Sequence, residues 1–327
     1  MNAMVLVNLR APLQWTELPD RLPGPGEVRV KVAACGVCRT DLHVVHGELA
    51  QPHVPIIPSH EIVGRIDAVG TPVEGFHVGK RVGIPWFGHT SGQCPYCQMQ
   101  RDNSCDRPLF TVYTRDGGFA TSAIADARFA FPLGEDGSDE ALAPLLCAEL
   151  VGWRLLGITG KARKLGLYGF GAAAHILTQV AKWQGRSMYA FTRPQDVSAQ
   201  SFALSLRAVW AGGSDVEPPE SRDAAIIFAT DGNLVTMALK TVQKGEHVVC
   251  AGIHMSDIPA FPYRLLWEER ELLSVANLTR HYGVDFLRLV PQIGIVTTTT
   301  RYPLQQANQA VAVLRAGTFE GAAVLVP

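Results

Sequence analysis

The chain has 327 residues and a formal net charge of −1, with 47% hydrophobic and 18% charged residues; that length suits two domains with separate cores, and the balance argues against nucleic-acid or membrane partners. Seven cysteines, mostly in short-spaced groups, suit metal ligation in a reducing compartment better than a disulfide framework. No stretch reaches about 18 apolar residues and no cationic segment with an apolar run opens the chain, so the sequence reads as soluble, unexported and cytoplasmic.

In chain order, the turn signal Pro23-Gly24-Pro25-Gly26 feeds an alternating run from Val28 to Ala33, a half-buried strand. That strand delivers Cys35-Gly36-Val37 and then Cys38-Arg39-Thr40-Asp41-Leu42-His43, which packs a thiol, a guanidinium, a hydroxyl, a carboxyl and an imidazole into six residues. A proline-rich loop with Pro52, Pro55 and Pro58 leads to Ser59-His60-Glu61 and a strand-like run from Ile62 to Val69, and Gly79 to Gly83 reads as another turn and strand. Ser91 to Cys105 is a loop carrying Cys94, Cys97 and Cys105, and Gly117-Gly118 precedes a further strand. This part predicts many short strands and little helix.

After Glu140 the texture changes. Ala141 to Leu156 is helix-like, and Arg163 to Gly169 is an apolar strand ending in glycine. Helix Ala172 to Gln184, strand Met188 to Phe191, strand Ala224 to Ala229, helix Leu234 to Thr241 and strand His247 to Ala251 follow. Alternating strand and helix implies an α/β fold with a doubly wound parallel sheet. From about Tyr282 to Pro327 the texture is mixed, with strand-like Gly321 to Val326; this segment is expected to rejoin the first domain.

Two constellations carry chemistry. Zinc sites that catalyse use three protein ligands and leave a fourth position open; Cys38, His60 and Cys147 can supply two thiolates and an imidazole, although spacings of 22 and 87 residues say little by themselves. Gly169-Phe170-Gly171-x-x-Ala174 follows an apolar strand and opens a helix, the context of a dinucleotide fingerprint whose glycines bring backbone amides to a pyrophosphate. Where a carboxylate would hold the ribose hydroxyls of NAD, Thr192 and Arg193 follow Phe191. NADP(H) is therefore favoured over NAD(H), the alternative being that Arg193 stacks on adenine and either cofactor is accepted.

The motifs Cys35-Gly36-Val37-Cys38-Arg39-Thr40-Asp41-Leu42-His43, His60-Glu61, Val82-Gly83-Ile84-Pro85-Trp86 and Leu146-Cys147-Ala148 resemble the zinc-dependent alcohol dehydrogenases of the medium-chain dehydrogenase/reductase superfamily. The resemblance runs over essentially the whole chain. It extends through Gly166 to Gly171, Ala251 to Pro259 and Ser274 to Arg280, which resemble a bacterial branch near the propanol-preferring enzymes. It implies a Rossmann-type cofactor domain, 148–280, inserted in a strand-rich GroES-like catalytic domain, 1–147 and 281–327. It implies that Cys38, His60 and Cys147 hold the catalytic zinc, with Glu61 beside it as an alternate ligand. Thr40 would take the alcohol proton and pass it through the cofactor ribose to His43 at the surface, and Asp41 would orient His60. Arg39 would meet the pyrophosphate and Trp86 would line the substrate pocket.

Cys94, Cys97 and Cys105 fit the last three ligands of the family's four-cysteine structural zinc lobe, with Ser91 where the first should stand. The lobe then holds zinc with a substitute such as His89 or water, stays metal-free, or oxidises. Ser59 and Glu149 stand where the family has glycines. The resulting expectation is a homodimeric or homotetrameric oxidoreductase interconverting alcohols with aldehydes or ketones. Its rivals are a non-catalytic nucleotide- or metal-binding descendant and a zinc-free reductase of activated alkenes or quinones.

Overall fold

The computed structural model describes residues 1–50, 53–317 and 321–327, so Pro52 of the proline-rich loop lies outside the described residues. The chain divides into two compact units: Met1–Leu150 with Leu278–Pro291 and Val296–Pro327, and Val151–Asn277 with Gln292–Ile295.

The first unit is built on a seven-stranded sheet. Its order is Thr299–Pro303, Ala322–Val326, Glu27–Val37, Glu61–Val69, Arg81–Ile84 and Phe131–Pro132, with Ser122–Asp126 also paired to Glu27–Val37. Along Glu27–Val37 the side chains of Val28, Val30 and Val32 are buried in alternation, the period of a strand with one face on a core, and from Ala34 to Val37 every residue is buried. The change coincides with register shifts against Glu61–Val69, and such shifts re-aim a strand end. The C-terminal strand pairs Ala323 with Val37 and Leu325 with Cys35, so it supports the backbone that leads directly into Cys38.

The second unit is a six-stranded sheet in which every neighbouring pair is parallel. Its order is Trp210–Gly213, Ser187–Thr192, Lys164–Tyr168, Arg222–Ile227, Val242–Cys250 and Glu271–Ser274. Numbered along the chain this is 3-2-1-4-5-6, the Rossmann order, whose ligands lie at the carboxyl ends of the strands where the order reverses. Lys164–Tyr168, next to that reversal, runs straight into the glycine loop.

Several elements differ from the sequence reading. The run from Ala141 is interrupted: helix Asp139–Leu142 passes into a 3₁₀ turn, Ala143–Leu146, and a new helix, Ala148–Ile158, starts after Cys147. Pro144 is tolerated in the first positions of that turn because no intrahelical N–H is lost there. Helices Arg280–Ile293 and Ala307–Ala316 occupy much of the stretch of mixed texture, and helix Val197–Ser205 and strands Trp210–Gly213 and Glu271–Ser274 are additional. Among the described residues no single helix is long and apolar enough to cross a membrane.

Candidate metal and cofactor sites

Cys38 is the N-cap of helix Arg39–His46. Its Sγ accepts from the Thr40 amide, and its own amide donates to Asp41 Oδ2 at 2.9 Å, closing a capping box. Asp41 Oδ1 accepts from the Ser59 amide at 2.9 Å. One carboxylate therefore ties the Cys38 turn to the His60 loop. It does not orient the His60 ring by hydrogen bonding, as the resemblance implied: both Asp41 oxygens accept from backbone, and His60 Nδ1 has no hydrogen-bond partner among the described residues.

The His60 loop is gripped from the other side. Gly117, Gly118 and Phe119 donate to the carbonyls of Ile57, Ser59 and Pro58 at 2.7, 3.0 and 3.0 Å. A Cβ on Gly117 would lie 1.9 Å from the Ser59 carbonyl oxygen, which explains why the chain has no side chain there. Glu61 is accommodated in the same way by Gly36, where a Cβ would come within 1.8 Å of Oε2. Cys147 sits at the break between the 3₁₀ turn and the next helix, and the preceding Leu146 packs on Gly83, where a Cβ would lie 2.6 Å from a Leu146 methyl.

These local devices bring donor atoms of Cys38, His60, Glu61 and Cys147 within 4.8 Å of one another, with His60 Nε2 3.6 Å from Cys38 Sγ. The thiols are free. The Cys147 thiol, on the Cys38 sulfur, and burial hold the Cys38 thiol well above its ordinary range, and burial with the Cys38 charge raises Glu61 likewise. Burial disfavours an imidazolium at His60, yet the Cys38 charge outweighs it and raises the ring. Anionic donors crowded in a buried pocket keep their protons until a cation neutralises them. Two thiolates, an imidazole and a carboxylate fit zinc, which deprotonates a coordinating thiol.

Trp86, 8% exposed, meets the His60 ring edge-on at 5.3 Å and stacks with Phe110 and Tyr113 at 5.3 and 6.0 Å. Sequence reasoning missed the last two, which share no motif with Trp86. Arg39 is exposed and Thr40 is half-buried. His43 differs from expectation: it lies in a helix, is 7% exposed, and its Nδ1 is 2.5 Å from Glu48 Oε2.

In the second unit, Gly169 has φ 91°, and a Cβ there would lie 3.0 Å from Ala229. Gly171 caps helix Ala172–Trp183 with no side-chain hydrogen bond, leaving the first-turn amides available to an anion, and Ala174 is buried beneath. Thr192 is turned inward, its hydroxyl donating towards the Arg193 and Gly212 carbonyls and accepting from Gln200. Arg193 is exposed. Of the two residues expected at the ribose, the guanidinium is the one presented.

Residues 24–135 match the family described as Alcohol dehydrogenase GroES-like domain. The chain is 43% identical over 312 residues to "Probable alcohol dehydrogenase AdhA" of Mycobacterium tuberculosis, covering 93% of this chain and 90% of that one. The chain belongs to the medium-chain alcohol dehydrogenase family. An alcohol dehydrogenase of Geobacillus stearothermophilus is 29% identical over 99% of both chains, and the structure of the Aeropyrum pernix alcohol dehydrogenase superposes with a TM-score of 0.90 at 25% identity over the full length of both.

Ser59, Glu149 and Ser91 stand where the resemblance implied two glycines and a cysteine. Ser59 has φ 75°, and its hydroxyl donates to the Gly36 carbonyl at 2.6 Å while accepting from the Cys35 thiol at 3.0 Å. Glu149 is fully buried with neither carboxyl oxygen hydrogen-bonded among the described residues, and burial raises it well above the usual carboxylate range; among the described residues it has no salt-bridge partner. Ser91 Oγ lies 3.5 Å from Cys105 Sγ and 3.9 Å from Cys97 Sγ, while Cys94, Cys97 and Cys105 hold their sulfurs within 4.8 Å of one another. His89 does not fill the fourth corner: its Nδ1 is 2.6 Å from Asp126 Oδ2, beside Arg128, and it lies outside the sulfur cluster. Backbone amides of Asp106 and Cys97 pull the Cys94 thiol down to about 6.

Proposed function

We propose that this protein interconverts small primary or simple secondary alcohols with aldehydes or ketones, as a zinc-dependent oxidoreductase with NADP(H) favoured over NAD(H). The observation that carries the reading is the buried convergence of Cys38, His60, Glu61 and Cys147. Cys38, His60 and Cys147 would hold zinc, with Glu61 as an alternate ligand; zinc there supplies Lewis acidity that makes an alcohol proton easier to remove. The nicotinamide cofactor supplies the hydride acceptor or donor.

The chain's own residues do the rest. Thr40 takes the hydroxyl proton, and His43, three residues on and so on the same helix face, relays it. Trp86, with Phe110 and Tyr113, forms an aromatic wall against His60 that supports a short alcohol, as in the propanol-preferring branch. In the second unit the uncapped amides after Gly171 suit a pyrophosphate and the exposed Arg193 suits a 2′-phosphate, and in the first unit the exposed Arg39 suits an anionic group of the cofactor. The segment from Ile253 to Trp267 exposes Ile253, Tyr263 and Trp267, apolar surface that a second copy of this cytoplasmic chain would cover.

Zinc per subunit, measured by elemental analysis with NADP- and NAD-linked oxidation of short alcohols, tests the reading. We expect zinc at the catalytic cluster, turnover that is faster with NADP, and loss of both zinc and turnover in Cys38→Ser. Unchanged turnover in that variant would sink the zinc mechanism and favour a zinc-free reductase.

A further inference from the structure

Val112 is held in a backbone conformation that its side chain disfavours. It has φ 72°, in the left-handed region, where a branched Cβ crowds the neighbouring backbone. Among the described residues it is the one β-branched side chain found there. Hydrogen bonds close the turn around it. The Thr111 amide donates to the Trp86 carbonyl at 2.8 Å and the Val112 amide to the Arg115 carbonyl at 2.7 Å. The amides of Tyr113, Thr114 and Arg115 all donate to the Phe110 carbonyl, at 3.2, 2.9 and 3.0 Å, and the Arg115 guanidinium pairs with Glu27 on strand Glu27–Val37. The side chain of Val112 is fully buried in the core cluster that contains Trp86. A β-branched residue prefers negative φ, so the backbone at Val112 pushes the turn open while burial of its isopropyl group holds the turn shut.

What the strained turn carries is an aromatic stack. The rings of Phe110 and Tyr113 lie 5.3 and 6.0 Å from that of Trp86, at interplanar angles of 23° and 18°. They are 6.4 Å from each other, closer than two rings on opposite faces of one indole would come, so both cover the same face. Stacking of this kind is the contact that an aryl substrate would make with Trp86. Here the chain's own rings already make it, beside His60, and with Trp86 only 8% exposed little of the indole is left for a substrate to stack on.

We propose that Val112 is a positioning residue that sets substrate specificity: its buried side chain anchors the strained turn, the turn keeps Phe110 and Tyr113 on Trp86, and the filled stack selects short aliphatic alcohols over benzylic ones. This rests on the alcohol-oxidising reading above. Nothing in the spacing of the sequence marks Val112, and only its backbone angle and burial show it.

The experiment compares the wild type with Val112→Ala, Val112→Gly and Tyr113→Ala in kcat and KM for 1-propanol and for benzyl alcohol. Alanine keeps the backbone strain and removes most of the anchor, whereas glycine removes the anchor and the strain together. Val112→Ala is therefore expected to lower the preference for 1-propanol over benzyl alcohol, taken as the ratio of kcat/KM values, by about tenfold, and to do so through KM for benzyl alcohol rather than kcat. Val112→Gly restores most of the preference, and Tyr113→Ala reproduces the loss with the turn intact. A Val112 that only packs the core would leave the ratio unmoved in both of its variants, and that result overturns the proposal. So does a Val112→Gly variant as permissive as Val112→Ala. If Val112→Ala does not fold, Tyr113→Ala decides: an unchanged ratio there overturns the proposal. A wild type that binds zinc yet oxidises no alcohol overturns the functional reading and this proposal with it. A wild type that oxidises benzyl alcohol as readily as 1-propanol overturns the proposal alone.

Discussion

Ser59 combines a penalty with a reward at one position. A non-glycine residue in the left-handed region costs about 1 kcal/mol, and its hydroxyl bond to the buried Gly36 carbonyl returns a similar amount. Ser59→Gly is thus expected to be close to neutral, while Ser59→Ala keeps the strain, loses the bond and destabilises by about 1–2 kcal/mol; urea unfolding distinguishes the two. Glu149 makes a sharper case. Its folded pKa lies above its unfolded one, so the folded state retains a proton that the unfolded state releases. Its contribution is fully present below the unfolded value near 4.5 and is lost as pH rises towards the folded one. Glu149→Gln should gain stability over the wild type by up to about 1.4 kcal/mol per pH unit across that window. Equal pH slopes in the two proteins would show that the buried acid is partnered in solution. The types of residue at the metal cluster were legible in the motifs. Their polar partners were not, because Asp41 and His89 each choose a partner from another segment, and sequence spacing does not record which one is nearer.

At the level of elements, legibility followed the strength of the pattern. Glu27–Val37 alternates cleanly and was readable. Val197–Ser205 buries only Ala203, so no apolar stripe marks it, and Arg280–Ile293 contains Gly283 and Pro291, which read as breakers. Cys147 interrupts what looked like one helix because helical propensity is silent on a ligand's need to face inward. The cysteine loop is the element whose chemistry can be changed most simply. Ser91 already sits beside the three sulfurs, so Ser91→Cys is expected to raise zinc retention in competition with a chelator by about tenfold or more, thiolate being the stronger ligand. No gain in retention would mean that the loop does not close around a metal.

For the molecule as a whole, a doubly wound parallel sheet and the return of the C-terminal segment to the first domain followed from the texture of the sequence, whereas the strand order and the pairing of the last strand beside Cys35 needed the fold. Residues 38, 60 and 147 lie far apart along the chain and meet at one point in the first unit. A metal gripping all three would be a reversible cross-link, closing two long loops that the unfolded chain would otherwise leave open. Chelation should accordingly lower the thermal midpoint by several degrees, for a stability loss of about 2–4 kcal/mol, as calorimetry with and without chelator would register. The same cluster would then serve the nascent chain as a fastener, with metal supply deciding how long residues 1 to 147 stay assembled as well as whether they react.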